Sequence, residues 1–240
     1  MALDFAARIH ALTGFNADGD DTTETDDDFD ESAAQWMTDA AREVINVLPP
    51  KLKQKCSKVT NLYISNTDTT MDLDGAGEVL YVTRENADSG YYIGCREINP
   101  IYADSANDST SLHYATATDP VYWTESNSSG NPTLFVKPTP TATQPAKIMH
   151  VSYPTFTAAD GGTYDVIAAT SIANFPDEAE HLVVLRAAIA AAEYMLAIEE
   201  DPEIFIPMIQ NLRKEYNDGL SMLICQSSPK ESKKLGDIQV

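Results

Sequence analysis

The stretch FPDEAEHLVVLRAAIAAAEYMLAIE, Phe175 to Glu199, constrains this chain most, because it reads as a helix that is apolar on nearly every face. Pro176 suits a first helical position, and Asp177, Glu178 and Glu180 place negative charge at the positive end of the helix dipole. Beyond them Leu182, Val183, Leu185, Ala188, Ile189, Ala191, Ala192, Met195 and Leu196 spread too widely for a one-sided stripe. Such a helix must be surrounded, by its own chain or by neighbouring subunits. It carries no catalytic group, which points toward packing and assembly.

The charge balance narrows the partners. Against 16 basic residues stand 37 acidic ones, a net charge of −21 over 240 residues. Binding to nucleic-acid phosphates rests on a concentrated basic surface, so neither it nor adsorption to an anionic membrane is expected. The charge is uneven: residues 1–46 hold 12 acids and 2 bases, whereas 47–56 hold Lys51, Lys53 and Lys55 and no acid. Cys56, Cys95 and Cys225 are widely spaced and form no CxxC pair, which fits a reducing cytosol. The first residues lack a basic n-region and a long apolar h-region, and no run reaches the about 20 apolar residues of a membrane span. A soluble protein made inside a cell is expected.

Along the chain, residues 2–12 form a short helix by pattern. Asp18 to Glu31 then holds nine acids in fourteen positions, and self-repulsion is expected to keep this run extended or loosely looped. Asp30 can cap a second helix, in which Ala33, Trp36, Met37, Ala40, Ala41, Val44, Ile45 and Leu48 recur at helical spacing until Pro49-Pro50 stops it.

From about Ser57 to Phe156 the grain becomes β. Residues 59–64, 79–83, 91–95, 121–124, 134–136 and 148–153 are short, β-branched or aromatic runs separated by Asn, Asp, Ser, Gly and Pro clusters. Asp74-Gly-Ala-Gly77 and Asn127-Ser-Ser-Gly-Asn-Pro132 read as hairpin turns, and Pro138, Pro140 and Pro145 mark a longer loop. Strands without intervening helices argue for an antiparallel sheet or small sandwich. Residues 157–174 read as a polar connection. After the apolar helix, Asp201-Pro202 starts a last one, with Met208, Leu212, Tyr216, Leu220 and Ile224 at intervals of four. Pro207 within it implies a kink or a start near Ile206.

The expected fold class is therefore α+β: a helical bundle with an inserted antiparallel β-rich module and an extended C-terminal arm. The divisions are 1–56 and 157–226 for the bundle, 57–156 for the module and 227–240 for the arm. Helices from both ends must meet to bury their apolar faces. The expected bundle core is Trp36, Met37, Val44, Leu182, Leu185, Ile189, Leu212, Tyr216 and Leu220.

Enzyme signatures are missing: no GxSxG, HExxH, P-loop lysine motif or GxGxxG is present. His10, His113, His150 and His181 are dispersed and read as surface or structural histidines. Asn16, Asp18 and Asp20 alternate like an EF-hand loop, but Asp21 stands where glycine is demanded and Asp27 where glutamate is. No catalytic residue, cofactor or metal is assigned. Tyr63, Tyr81, Tyr91, Tyr92, Tyr102, Tyr114, Tyr122 and Tyr153, with Trp123, concentrate aromatics in the β region. About half are expected in its core and the rest on its rim, where they suit a protein partner or a sugar.

Two helical segments, Trp36-Met-Thr-Asp-Ala-Ala-Arg-Glu-Val-Ile-Asn-Val-Leu-Pro-Pro50 and Phe175-Pro-Asp-Glu-Ala-Glu-His-Leu-Val-Val-Leu-Arg-Ala-Ala188, resemble tailed-phage head-to-tail adaptors, the neck connector proteins. The resemblance covers roughly residues 30–50 and 175–225. It implies a non-enzymatic virion protein, assembled in the host cytoplasm, that forms a ring, commonly of twelve copies, beneath the portal. That ring continues the DNA channel and gives a tail or nozzle protein its landing surface. The arm, with Lys230, Lys233, Lys234, Leu235, Ile238 and Val240, corresponds to the element that reaches the portal in several such adaptors. Asp26, Asp27 and Asp28 are the candidates for an acidic channel or surface past which DNA slides without binding. The alternatives are a tail-completion or terminator protein, a receptor- or glycan-binding tail component, and a carboxylate hydrolase of cell-wall sugars.

Overall fold

A computed structural model describes residues 3–14, 26–62, 69–86, 90–157, 164–166, 168–198 and 202–227. The fold is α+β, and the chain divides into two compact units, Met1–Lys55 with Pro154–Val240, and Cys56–Tyr153.

The helical unit is built around the apolar helix. Its elements are α1 (Phe5–Thr13), α2 (Asp26–Val47), α3 (Pro50–Lys53), the short strands β9 (Phe156–Thr157) and β10 (Tyr164–Asp165), α4 (Asp177–Ile198) and α5 (Pro202–Ser227). Helix α4 packs against α1, α2 and α5, so the two ends of the chain meet on it. Ten of its residues, from Ala179 to Ala192, are buried and lie on every side of the helix. At 22 residues α4 is long and apolar enough to cross a bilayer, which corrects the expectation that no run is. Here other helices cover that apolar surface.

Polar contacts fix the packing. The Asp4 carboxylate caps α1 by accepting from the Ala7 amide at 2.7 Å, and Gly14 ends the helix at φ 75°; such a cap is worth about 1 kcal/mol. Arg8 pairs with Glu180 at 2.7 Å, joining α1 to α4. Glu180 also accepts from the Ile172 amide at 3.1 Å. The Thr38 hydroxyl donates to the Ala34 carbonyl and accepts from the Phe156 amide at 3.0 Å, tying β9 to α2. Gly219 lets α5 approach α4 closely: a Cβ there would lie 2.5 Å from Leu182 Cδ2.

Two expectations for this unit are corrected. Helix α2 begins at Asp26, so part of the acidic run is helical; acidic residue types suit the first turn of a helix. Residues 18–25 lie outside the described residues. Helix α5 starts at Pro202, where Asp201-Pro202 places it, and not near Ile206, and it keeps Pro207 in its second turn. Phe205 and Ile209 are buried against Ala192 of α4, and this packing extends the helix past the lost proline amide. The connection 157–174 also contains β10, which pairs in parallel with β9.

The sheet unit holds β1 (Ser57–Leu62), β2 (Thr70–Asp72), β3 (Ala76–Glu85), β4 (Tyr92–Gly94), β5 (Arg96–Glu97), β6 (Val121–Ser126), β7 (Pro132–Lys137) and β8 (Ala146–Ser152). They form two four-stranded sheets, β1-β8-β3-β4 and β2-β7-β6-β5. All pairs in them are antiparallel except the two-residue β5–β6 pair. Leu62, Val82, Ala146 and Ile148 from the first sheet meet Leu134 and Val136 from the second in one buried cluster. Side chains alternate along β6: Tyr122 packs on that cluster, while Val121 and Trp123 join Ile98, Ala106 and Ala115 on the opposite face.

Asn127–Pro132 is a hairpin, with Ser126 opposite Pro132 and Gly130 at φ 85°. Asp74–Gly77 is not. Its turn places Gly75 at φ 70°, but β2 pairs with β7 and β3 with β8 and β4, so the chain changes sheets there. A Cβ on Gly77 would stand 2.8 Å from that of Val151, so the glycine admits β8 at this crossing.

Candidate interaction surfaces

Among the described residues of the helical unit, α2, α4 and α5 line a polar cleft of about 230 Å³. Arg186 donates to Glu43 at 2.7 Å, the Tyr216 hydroxyl donates to the same carboxylate at 3.3 Å, and Arg213 pairs with Glu193. Each arginine is matched by a glutamate, so the cleft has no surplus charge to hold an anion. Its pairs are half in water, where each is worth under about 1 kcal/mol. They align three helices.

Burial of Tyr216, with Glu43 beside it, pushes the phenol up to about 12. In the sheet unit burial raises Tyr122, next to Glu97, and Cys95 to about 12 as well, Arg84 drawing Cys95 partly back. Raised folded-state values mean stability that is complete below the ordinary values, 9.0 for the thiol and 10.0 for the phenols, and is lost as pH climbs toward 12. Thermal midpoints recorded against pH should therefore hold level up to about 9 and fall steeply beyond. A level profile through pH 12 would contradict this.

Apolar side chains in water mark the surfaces that remain. Past the buried part of α4, Tyr194 is 50% exposed and Ile198 57%, and Ile204 and Ile206 are exposed at the start of α5. The Trp36 ring leans on Tyr194 at 5.6 Å. Met222 and Ile224 lie exposed near the other end of α5. In the sheet unit the segment 98–120, between β5 and β6, holds Ile101 and Leu112 in water at 78% and 90% exposure. Isolated exposed residues are ordinary, but clusters of this kind mark contact surfaces.

The aromatic expectation is corrected: among the described tyrosines of the β region none is buried. Tyr81, Tyr91, Tyr92, Tyr102 and Tyr114 are exposed, and Tyr122 and Tyr153 are half-buried. Phenol hydroxyls keep their water, while Trp123, stacked on Phe135 at 5.5 Å, fills the core. His150 is structural: its Nδ1–H donates to the Val151 carbonyl at 3.0 Å and Nε2 accepts from the Thr60 hydroxyl at 3.1 Å. His113 stacks on Tyr102 at 4.2 Å. Cys56 is buried, Cys95 half-buried and Cys225 exposed, with no disulfide among them.

Of the residues assigned to the bundle core, Met37, Val44, Leu182, Leu185, Ile189, Leu212 and Tyr216 are buried, and Trp36 and Leu220 are half-buried. Asp26, Asp27 and Asp28 form the first turn of α2. Lys230, Lys233, Lys234, Leu235, Ile238 and Val240 lie outside the described residues. Sequence reasoning passed over Glu43, Arg186, Ile101 and Leu112. Leu112 did leave a signal, a lone aliphatic residue within the polar run Asn107-Asp-Ser-Thr-Ser111 and His113.

No curated protein matches the chain. A family model described as SU10 adaptor protein matches residues 4–232, spanning both units and nearly the whole sequence. The chain belongs to this family of phage head-to-tail adaptors, so the surfaces above are those of an adaptor protein of the virion.

Proposed function

We propose that the protein forms a ring, twelve copies in the commonest form, that docks on the portal, continues the DNA channel and presents the attachment surface for a tail or nozzle protein. The carrying observation is the family match over residues 4–232. The apolar surface left in water on each unit, at Tyr194 and Ile198 and at Ile101 and Leu112, supports the reading, because monomeric proteins rarely leave such groups in clusters. The arm bearing Lys230, Lys233, Lys234, Leu235, Ile238 and Val240 would order on the portal, which permits assembly in sequence. The role is structural, with no reaction assigned and no membrane involved.

DNA would pass without specific binding, because a net charge of −21 repels phosphates. Asp26, Asp27 and Asp28 are the candidate channel residues. Reversing all three to lysine should leave rings intact and slow genome release, read as delayed DNA ejection from otherwise normal particles. Ejection at the native rate would remove these residues from the channel.

A further inference from the structure

The segment 98–120 contains no strand, yet it is pinned throughout. Ile98, Ala106 and Ala115 are buried with Val121 and Trp123, and the Ala115 amide donates to the Ala106 carbonyl at 3.0 Å. Asn99 caps the 3-10 turn Pro100–Tyr102 by accepting from the Ile101 amide at 3.1 Å. Asp108 accepts from the Thr110 amide and hydroxyl at 2.9 and 2.8 Å, and Ser111 accepts from the His113 amide at 3.1 Å. Two aliphatic side chains are thus held ready in water on an ordered loop. A contact made by such a loop loses little conformational entropy on forming, which is the property of a binding anchor.

The charge around the anchors selects what can cover them. Along the sequence the acids Glu97, Asp104, Asp108 and Asp119 flank the anchors, and the one arginine of this stretch, Arg96, is paired with Asp119 at 3.0 Å. The Thr110 hydrogen bonds hold Asp108 below the usual carboxylate range, so it stays ionised. The covering surface must therefore be basic with an apolar floor.

Copies of a chain with net charge −21 repel one another, so self-assembly requires positive charge at the seam. Arg8, Arg186 and Arg213 are each paired with a glutamate of their own unit. The basic stretch that stands apart is α3 with the residues after it: Lys51, Lys53 and Lys55, in a run with no acid from Val44 to Thr67. Lys51 and Lys55 are exposed; Lys55 also pairs with Glu178 of its own unit, at 3.5 Å and with both side chains about half in water, so that pair is readily exchanged. Pro50 and half-buried Leu52 supply apolar surface beside them.

Resting on the ring reading above, we propose that the 98–115 segment of one copy seats on α3 of the next, with Ile101 and Leu112 as apolar anchors and Asp104 and Asp108 facing Lys51 and Lys55. The occupant is a second copy of this chain.

The full-length chain is sedimented alone and after incubation with its purified portal, from about 0.05 to about 0.5 M salt. Association between copies should weaken as salt rises, the opposite of what screening a general −21 repulsion would produce. Leu112→Asp, at a position in water and so harmless to folding, should weaken it at least about tenfold. Asp104→Lys with Asp108→Lys should do the same, and mixing that variant with the Lys51→Glu, Lys55→Glu variant should restore assembly. Wild-type assembly that strengthens with salt, or that Leu112→Asp leaves unchanged, overturns this contact while the ring stands. A wild-type chain that forms no ring, alone or on its portal, overturns both.

Discussion

Leu185→Asp should yield no cooperatively folding protein. Leu185 sits midway along α4, 1% exposed, on a helix covered by α1, α2 and α5. A carboxylate buried there loses its hydration, a cost of several kcal/mol against a total stability of about 5–15 kcal/mol. Leu185→Ala is the graded control. It removes the same contacts without burying charge and should lower stability by about 2–5 kcal/mol. Circular dichroism with thermal melting separates the two. A soluble Leu185→Asp protein that melts cooperatively near the wild-type temperature would mean that α4 is not the centre of the bundle.

The second large effect is expected in the sheet unit. Leu134 is fully buried where β7 of one sheet faces Leu62, Val82 and Ile148 of the other. Leu134→Ala should cost about 2–5 kcal/mol and lower the unit's midpoint by about 10 °C or more. The chain holds two tryptophans, Trp36 in the helical unit and Trp123 in the sheet unit. In a Trp36→Phe background, fluorescence therefore reports the sheet unit through Trp123. A shift under about 2 °C would show that the two sheets do not share this core.

These two positions also show what the sequence made legible. A run such as Leu182 to Ala192, apolar on all sides, can only be a surrounded helix, and the helices that surround it carry their own periodicity. Strands β6, β7 and β8 were readable because β-branched and aromatic residues cluster between turn residues. What failed is what depends on distant neighbours. The Asp74–Gly77 turn specifies a local bend and says nothing about which sheet each flanking strand joins. Strands β2, β9 and β10, two or three residues long, have no period to detect. The start of α5 at Pro202 was legible, whereas the packing of Phe205 and Ile209 on Ala192 that carries the helix across Pro207 is invisible along the chain. The interaction surfaces were the least legible. Glu43 and Arg186 are 143 positions apart, and the anchors Ile101 and Leu112 are set by a web of loop hydrogen bonds that no pattern announces. The family match is what joins these surfaces to a function.

Self-assembly at the portal is the property on which the proposed ring role depends. Purified full-length chain mixed with its cognate portal and imaged by electron cryomicroscopy should give a closed ring of copies coaxial with the portal channel. Particles in which the portal remains bare, or carries scattered single copies without closure, would contradict it.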